Sequence, residues 1–483
     1  MVGGAAAAAL LAVACSGGGD DGDAARTTTT TTTSAAPSEP AAPGAAGAGD
    51  PYFPELGNGG YDVDHYVLDI TWTPSDAGPG RLDGTTTVEA TATQRLSRFD
   101  LDLTGLDVSR VTVDGDPAEV ARRGEHELVV TPAEPIESGA SFTAEVAYGG
   151  QPQPQAEIDG VRPGWVDDGH EVYVIGEPNG AASFFPVNDH PSDKATYEQR
   201  ITAPDGLEVA ANGRLADRVP ADEGSGGGTT WVFDAPDPMA SYLVQIVIGD
   251  METVTAEGPD GLPIRHAFDT DVADDAEAAM ARTGEMIDAF DDLFGPFPFV
   301  TYGSVVVDDE IGLALETQTL SIFGADAIGD EVTVAHELAH QWFGDAVSPA
   351  TWRDIWLNEG FATYAMLLWD ERTGGLPVDD ALREAAAGGG LDLPPGDPGA
   401  ANLFDYSVYF RGAMTLHVLR HELGDDAFFR LLRTWVERYD GRSATSADFE
   451  ALAAEVAGPG HDLSGLFDAW LRAPQLPDLD DWL

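Results

Sequence analysis

The 483-residue sequence contains a single cysteine and a single lysine. One cysteine cannot form a disulfide within the chain, and it cannot build the zinc sites that several thiolates hold together. Any metal ion that the protein binds must therefore be held by histidine and carboxylate side chains.

Positive charge is scarce throughout the sequence. There are 24 lysine and arginine residues against 84 aspartate and glutamate residues, which gives a formal net charge of −60. Nucleic acids and anionic lipid headgroups attract basic surfaces, so both are poor partners for this chain. The composition therefore excludes nucleic-acid binding from the expected functions.

The sequence also lacks an apolar run of the roughly 20 residues that a membrane-spanning helix needs. Residues 5–14 form a short apolar run of small side chains that ends directly before Cys15. This pattern resembles a bacterial lipoprotein signal, in which Cys15 becomes the lipidated first residue of the mature protein. We therefore predict a lipoprotein-type signal over residues 1–15 and an extracytoplasmic protein anchored to the bacterial cell membrane by lipid. The alternative is an ordinary cleaved signal and a secreted protein.

Three further segments differ in composition and in periodicity. Residues 16–55 consist mainly of Gly, Ala, Thr, Pro and Asp and contain few large apolar side chains that could form a hydrophobic core. We therefore predict a disordered tether. Residues 56–253 contain short alternating runs, such as 66–72, between Gly, Pro and Asp turns, which predicts an antiparallel β domain. Apolar residues recur at helical spacing in residues 254–483, which predicts a mainly helical domain. The fold class expected is multidomain α+β.

Secondary structure within the second domain follows from the same periodicity. We expect a strand pair at residues 304–307 and 314–322. We expect helices at residues 274–294, 330–343, 359–370, 407–423, 427–439, 446–457 and 463–471.

An HExxH motif runs from His336 to His340 inside one of these predicted helices. The four-residue spacing places both imidazoles on one helical face, one turn apart, where both can reach a single ion. Glu337 then projects beside the ion rather than onto it, which suits a carboxylate that accepts a proton from zinc-bound water. The alternative is a pair of core histidines whose ring nitrogens bind backbone carbonyls.

A third ligand must come from another segment, because two histidines leave a tetrahedral site too open to hold zinc. Glu359 lies eighteen residues beyond His340, at the beginning of the next predicted helix. A return of the chain between these two helices would bring its carboxylate to the ion. The alternative for Glu359 is a carboxylate stabilised by the positive end of the helix dipole.

The HExxH motif, the eighteen-residue spacing and the Asn-Glu-Gly triplet around Glu359 resemble the gluzincin aminopeptidases of the aminopeptidase N and leukotriene hydrolase family. The similarity extends over roughly residues 60–480. It implies that the second domain is a thermolysin-like catalytic domain. It also implies one zinc ion per chain, held by His336, His340 and Glu359, with Glu337 as general base.

Three more segments carry the resemblance. A Gly-Leu-Ala-Leu-Glu segment ending at Glu316 resembles the family's Gly-Ala-Met-Glu-Asn loop, although Leu313 and Thr317 depart from it. The resemblance assigns Glu316 to the substrate amino terminus. Glu177 stands at the acidic position of a half-present Gln-x-Glu pattern and is expected to share that role. Tyr409, in a Tyr-x-Arg-Gly segment similar to the family's Tyr-x-Lys-Gly element, is expected to be the catalytic tyrosine.

The function predicted is that of a zinc metallopeptidase that removes amino-terminal residues from peptides. A gluzincin endopeptidase of broader specificity and a catalytically inactive, zinc-containing surface-binding protein are the alternatives. At single positions, Glu316 would instead pair with Arg411 or solvent, Tyr409 would pack in the core, and Glu177 would be a loop carboxylate. The sequence ends about 120 residues after Glu359, so we expect no large helical C-terminal domain like that of many relatives.

Overall fold

The computed structural model of the chain describes residues 40–75, 78–221, 227–309 and 311–483. The predicted signal with Cys15 and most of the predicted tether lie outside these residues. Within the described ranges, no helix is both long and apolar enough to cross a membrane.

The amino-terminal half of the described chain is built of strands. In chain order they are β1 (Ala42–Pro43), β2 (Tyr61–Thr73), β3 (Arg81–Ala92), β4 (Leu96–Asp102), β5 (Asp107–Val113), β6 (Asp116–Pro117), β7 (Glu119–Arg123), β8 (Glu127–Thr131), β9 (Ser141–Gly150), β10 (Gly164–Asp167), β11 (Val172–Ile175), β12 (Ala195–Ala203), β13 (Glu208–Ala211), β14 (Arg214–Pro220), β15 (Thr229–Met239) and β16 (Ile246–Gly249). They form an eight-stranded sheet in the order β14-β15-β12-β2-β3-β9-β5-β6 and two four-stranded sheets, β1-β4-β8-β7 and β10-β11-β16-β13.

Buried and exposed side chains alternate along these strands, as the alternating pattern of the sequence predicts. Strands β2 and β3 bury nearly every second side chain against the core. Most neighbouring strands are antiparallel, as predicted, but β2 pairs with β12 in parallel. The chain visits other sheets before it returns at β12, so it enters the large sheet in the same direction as β2. Hydrophobic alternation reports which face of a strand is buried and carries no information about its direction.

The structure differs from the predicted tether over its last fifteen residues. There β1 pairs with β4, and Asp50 is buried. The Asp50 carboxylate accepts hydrogen bonds from the backbone N–H groups of Tyr52, Phe53 and Trp352, the last at 2.8 Å. This segment is therefore ordered by polar contacts to distant parts of the chain, which its Gly- and Ala-rich composition did not indicate.

The carboxyl-terminal half is mainly helical, which confirms the predicted α+β architecture. Its elements are β17 (Met251–Glu257), β18 (Pro263–Asp269), α1 (Ala273–Met280), α2 (Thr283–Phe294), β19 (Ser304–Val307), β20 (Ala314–Leu315), β21 (Ser321–Gly324), α3 (Glu331–Ala339), β22 (Val347–Pro349), α4 (Trp356–Thr373), α5 (Val378–Gly388), α6 (Tyr406–Leu423), α7 (Asp425–Tyr439), β23 (Arg442–Ala444), α8 (Ser446–Ala457) and α9 (Ser464–Phe467). One sheet has the order β17-β18-β19-β21-β20, and β22 pairs with β23. The predicted domain boundary at 253/254 falls inside β17.

Besides the earlier ends of α3 at Ala339 and of α9 at Phe467, two further elements differ from the helices expected. The helix expected at residues 274–294 is divided into α1 and α2, and the Thr283 hydroxyl donates a 2.7 Å hydrogen bond to the Met280 carbonyl at the break. A side-chain donor to a last-turn carbonyl satisfies the end of a helix. Helix α5 was not predicted, because few apolar residues, among them Val378 and Leu382, form its buried face.

Helices α4 and α6 meet at a pair of glycines. A Cβ atom added to Gly360 would lie 2.9 Å from the Gly412 Cα atom, and one added to Gly412 would lie 2.8 Å from the Gly360 Cα atom. Only two glycines allow helix backbones to approach this closely. Glu359 precedes one glycine, and Tyr409 lies one turn before the other, so this contact brings both side chains into one cavity.

Candidate active site

The seven residues predicted for the site line a single cavity of about 360 Å³. They lie after β11 (Glu177), after β20 (Glu316), on or directly after α3 (His336, Glu337, His340), on α4 (Glu359) and on α6 (Tyr409). Segments far apart in the sequence therefore converge on one place. Apolar side chains complete the wall: Val161, Leu313, Met366, Phe404 and Phe410.

His336, His340 and Glu359 present three ligand atoms to a common point. The Glu359 Oε2 atom lies 3.2 Å from His336 Nε2 and 3.5 Å from His340 Nε2, and the two Nε2 atoms are 3.1 Å apart. Ligands about 2.0 to 2.1 Å from a tetrahedral zinc ion are separated by about 3.3 to 3.4 Å. The triad thus fits zinc, with two nitrogens, one oxygen and one position left for another ligand.

Contacts behind His340 orient its ring. Its Nδ1–H donates to the Phe343 carbonyl at 3.0 Å, so the Nε2 lone pair is directed toward Glu359. The turn that follows requires Gly344, whose φ is +131° and whose Cβ would lie 3.2 Å from His340 Nδ1. Tyr242, from the β-rich half, donates to the Gly344 carbonyl at 3.1 Å. Sequence analysis did not single out Tyr242, because nothing near it in the sequence links it to α3.

Gln341 joins the end of α3 to the loop that carries Glu316. Its side chain donates to the Glu316 carbonyl at 3.0 Å and accepts from the Thr319 N–H at 2.8 Å. Thr319 has a φ of +65°, a strained conformation for a β-branched residue, and its hydroxyl also accepts from the Gly213 N–H. Gln341 was missed by sequence analysis, although its position directly after the motif could have suggested it.

Four buried carboxylates crowd the cavity. Glu177, Glu316, Glu337 and Glu359 are between 2% and 6% exposed. Among the described residues, one oxygen of Glu177 and one of Glu316 have no hydrogen-bond partner. Burial, reinforced by the charge of Glu316, raises the pKa of Glu177 well above its ordinary value. Buried negative charge at this density requires positive partners, which a divalent ion and a substrate ammonium group can supply.

The histidines move the pKa of Glu359 in the opposite direction from that of its neighbours. Although burial raises its pKa, His340 and His336 outweigh that effect and bring the pKa of Glu359 down to about 2. Glu359 is therefore ionised, as a metal ligand must be. Burial raises the pKa of Glu337 well above its ordinary range.

Tyr409 lies against the triad. Its ring stacks on the His336 ring with the centroids 5.9 Å apart and the planes 22° from parallel. Burial raises the pKa of the Tyr409 phenol well above its ordinary value, so the hydroxyl keeps its proton near neutral pH. It is thus available as a hydrogen-bond donor beside the proposed metal position.

Arg411 does not pair with Glu316, the alternative left open by the sequence. Its fully buried guanidinium donates to backbone carbonyls, including Trp470 at 2.8 Å and Ala473 at 2.7 Å. Arg411 therefore ties α6 to the C-terminal segment, and Glu316 faces the cavity without it.

Comparison with known proteins gives consistent matches. The family model for the peptidase M1 N-terminal domain matches residues 63–243, and that for the peptidase family M1 domain matches residues 278–386. A mutant M1 zinc metallopeptidase from Deinococcus radiodurans, crystallised with a Tyr-Ser-Ala substrate, superposes with a TM-score of 0.82 at 32% identity. The match covers 90% of this chain and 99% of that one.

Two further matches agree with this one. The crystal structure of an M1 zinc metallopeptidase from Deinococcus radiodurans has a TM-score of 0.81 and 33% identity, covering 90% of this chain and 99% of that chain. Aminopeptidase N of Streptomyces lividans is 26% identical, with 85% of this chain and 50% of the relative aligned. The chain spans half or less of the length of the curated relatives it matches.

Proposed function

The chain belongs to peptidase family M1, and on that basis we propose that it is a zinc metalloaminopeptidase that removes amino-terminal residues from peptides. The observation that carries the proposal is the position of Glu177 and Glu316. Their unpartnered carboxylate oxygens line the same cavity as the His336, His340 and Glu359 triad. A metal centre next to carboxylates that can bind a positive charge suits cleavage of the peptide bond one residue from a free amino terminus.

Zinc held by His336, His340 and Glu359 would acidify a bound water to a pKa near 7 and polarise a carbonyl. Glu337, which lies beside the triad, would accept the proton of the attacking water and later transfer it to the leaving amine. The Tyr409 hydroxyl would donate a hydrogen bond to the developing oxyanion of the scissile carbonyl, an interaction strongest in the transition state.

The two acidic residues account for cleavage next to a free amino terminus. A peptide's terminal ammonium has a pKa near 8 and is mostly charged at neutral pH. Glu316 and Glu177 would bind it through charge-assisted hydrogen bonds. Since Gln341 holds the Glu316 loop against α3, the distance between the ammonium site and the triad is set by the fold. The first side chain of the substrate would contact the apolar wall that includes Leu313, Met366 and Phe404.

Glu316→Gln tests this assignment, because it removes the charge and keeps the shape of the side chain. Losing a charge-assisted hydrogen bond costs on the order of 1.5 to 3 kcal/mol, so kcat/KM for free-amine substrates should fall at least about tenfold. The assay compares aminoacyl fluorogenic substrates with their N-acetylated forms. Glu252→Gln, which neutralises an exposed carboxylate on β17, should leave both rates unchanged.

N-acetylated substrates should be poor for the parent enzyme and little affected by Glu316→Gln. If the parent cleaves blocked and free peptides equally well, the protein is an endopeptidase and the assignment of Glu316 is wrong. If chelation of metal leaves every substrate cleaved at the original rate, zinc catalysis itself is excluded.

We further propose that the protein is anchored outside the bacterial cell membrane by lipid attached to Cys15. The small-residue apolar run at residues 5–14, which ends at this cysteine, supports the proposal. Two lipid chains or more hold a protein at a membrane without a spanning helix. The alternative is a secreted protein.

The anchor predicts where the protein is found after cell fractionation. The parent should sediment with membranes and be released by detergent, whereas Cys15→Ser should be released into the soluble fraction. Ser34→Ala, a change of a polar side chain in the predicted tether, should fractionate as the parent does. Membrane association of Cys15→Ser equal to that of the parent would refute the anchor.

A further inference from the structure

A second group of metal-ligating side chains lies between α5 and α6. His417 and His421 stand one turn apart on α6, and Asp379 is in the first turn of α5. The Asp379 Oδ1 atom lies 2.7 Å from His417 Nε2 and 3.5 Å from His421 Nε2. One ligand atom from each of the three residues lies within 4.8 Å of the others. The spacing of the two histidines is the one found in the active-site triad.

The surroundings orient His417 as they would a ligand. Its ring is buried, and its Nδ1 atom lies 3.2 Å from the Tyr364 hydroxyl, which can accept the Nδ1 proton. As the structure stands, His417 Nε2–H donates to Asp379 Oδ1 at 2.7 Å, and a metal ion bound there would replace that proton.

The cluster borders a cavity of about 410 Å³, whose lining residues differ from those of the active-site cavity. Two arginines lie near it, and each has another anionic partner. Arg420 contacts Asp425 at 2.8 Å, and Arg383 contacts Asp480 at 2.9 Å while lying 3.8 Å from Asp379. Glu371 and Asp425 also line the cavity. The negative charges around the cluster therefore exceed the positive ones, which favours a cation.

We propose that Asp379, His417 and His421 bind a divalent transition-metal ion, for which zinc is the experimental probe. Two imidazole nitrogens and one carboxylate oxygen are a donor set that zinc accepts, with the fourth position open to water. The ion joins α5 to α6 and is separate from the active-site zinc.

Zinc stoichiometry tests the proposal. After dialysis against micromolar free zinc, elemental analysis of the parent should find two zinc ions per chain, and His421→Ala should retain one. The His421 side chain is 37% exposed, so this variant is expected to fold. Asp379→Asn is a second variant with the same expected loss. His461→Ala, an exposed histidine outside both clusters, should retain two ions and serves as the control.

Thermal unfolding gives a readout that does not depend on peptidase activity. Added zinc should raise the Tm of the parent and of His461→Ala by similar amounts, and it should raise that of His421→Ala and Asp379→Asn less. A parent that binds one zinc ion per chain overturns the proposal. So does a His421→Ala variant that keeps two ions, because the second ion then lies elsewhere.

Discussion

The Glu337→Gln variant is expected to bind zinc as the parent does and to hydrolyse peptides about 10² to 10⁴ times more slowly, the range of a general base. Glutamine has the shape of glutamate but cannot accept a proton from water at neutral pH. The side chain follows His336 on α3 and lies outside the triad that fits the metal. Steady-state kinetics and elemental analysis of the same preparation measure both quantities.

Glu359→Gln is the matched comparison, since it makes the same chemical change on a residue of the triad. An amide is a weaker zinc ligand than a carboxylate, so the affinity for zinc should fall by more than about 100-fold, the upper range for loss of an outer-shell partner. The activity of Glu359→Gln should therefore recover partly in excess zinc, whereas that of Glu337→Gln should not. Loss of zinc from Glu337→Gln, or unchanged turnover, would show that the general base is another residue.

Tyr409→Phe is expected to lower kcat by about 10² to 10³ with little change in KM, the effect of removing one oxyanion donor. Phenylalanine preserves the ring that stacks on His336, so the substitution removes the hydroxyl alone. The hydroxyl acts when charge develops on the scissile carbonyl, and for this reason the loss falls on kcat. Initial rates over a range of substrate concentrations separate the two constants.

Tyr406→Phe provides the control for this substitution. Tyr406 begins the same helix and is 45% exposed, so loss of its hydroxyl should change neither constant by more than about twofold. A rise in KM with kcat preserved in Tyr409→Phe would mean that Tyr409 binds the substrate in its ground state. The oxyanion role would then be wrong.

The metal triad is the part of the site that sequence patterns indicate best. The spacing of His336 and His340 is a property of a single helix, so local periodicity predicts that they share a face. The prediction of Glu359 as the third ligand required the family resemblance as well, because no local sequence pattern predicts where the following helix packs. In the structure the three ligand atoms meet within 3.5 Å of one another.

Other features depend on contacts between distant segments. Gln341 and Tyr242 support the site through hydrogen bonds to residues 22 or more positions away. The order of residues 41–55 depends partly on the hydrogen bond from Trp352 to Asp50. Composition and periodicity cannot identify such hydrogen-bond partners, because each of the two side chains or segments, taken alone, is equally compatible with a solvated loop.

By itself, the sequence determined the α+β class, the histidine pair on one helical face and the exclusion of metal sites built from several thiolates. These follow from composition and from local periodicity, which act within one element of structure. Tertiary structure decided the approach of α4 to α6 at Gly360 and Gly412, the parallel pairing of β2 with β12, and the cluster around His417. Each of these depends on how separate elements pack. Packing brings together residues that are far apart in the sequence, and sequence separation alone does not tell how close two such residues lie in the folded protein.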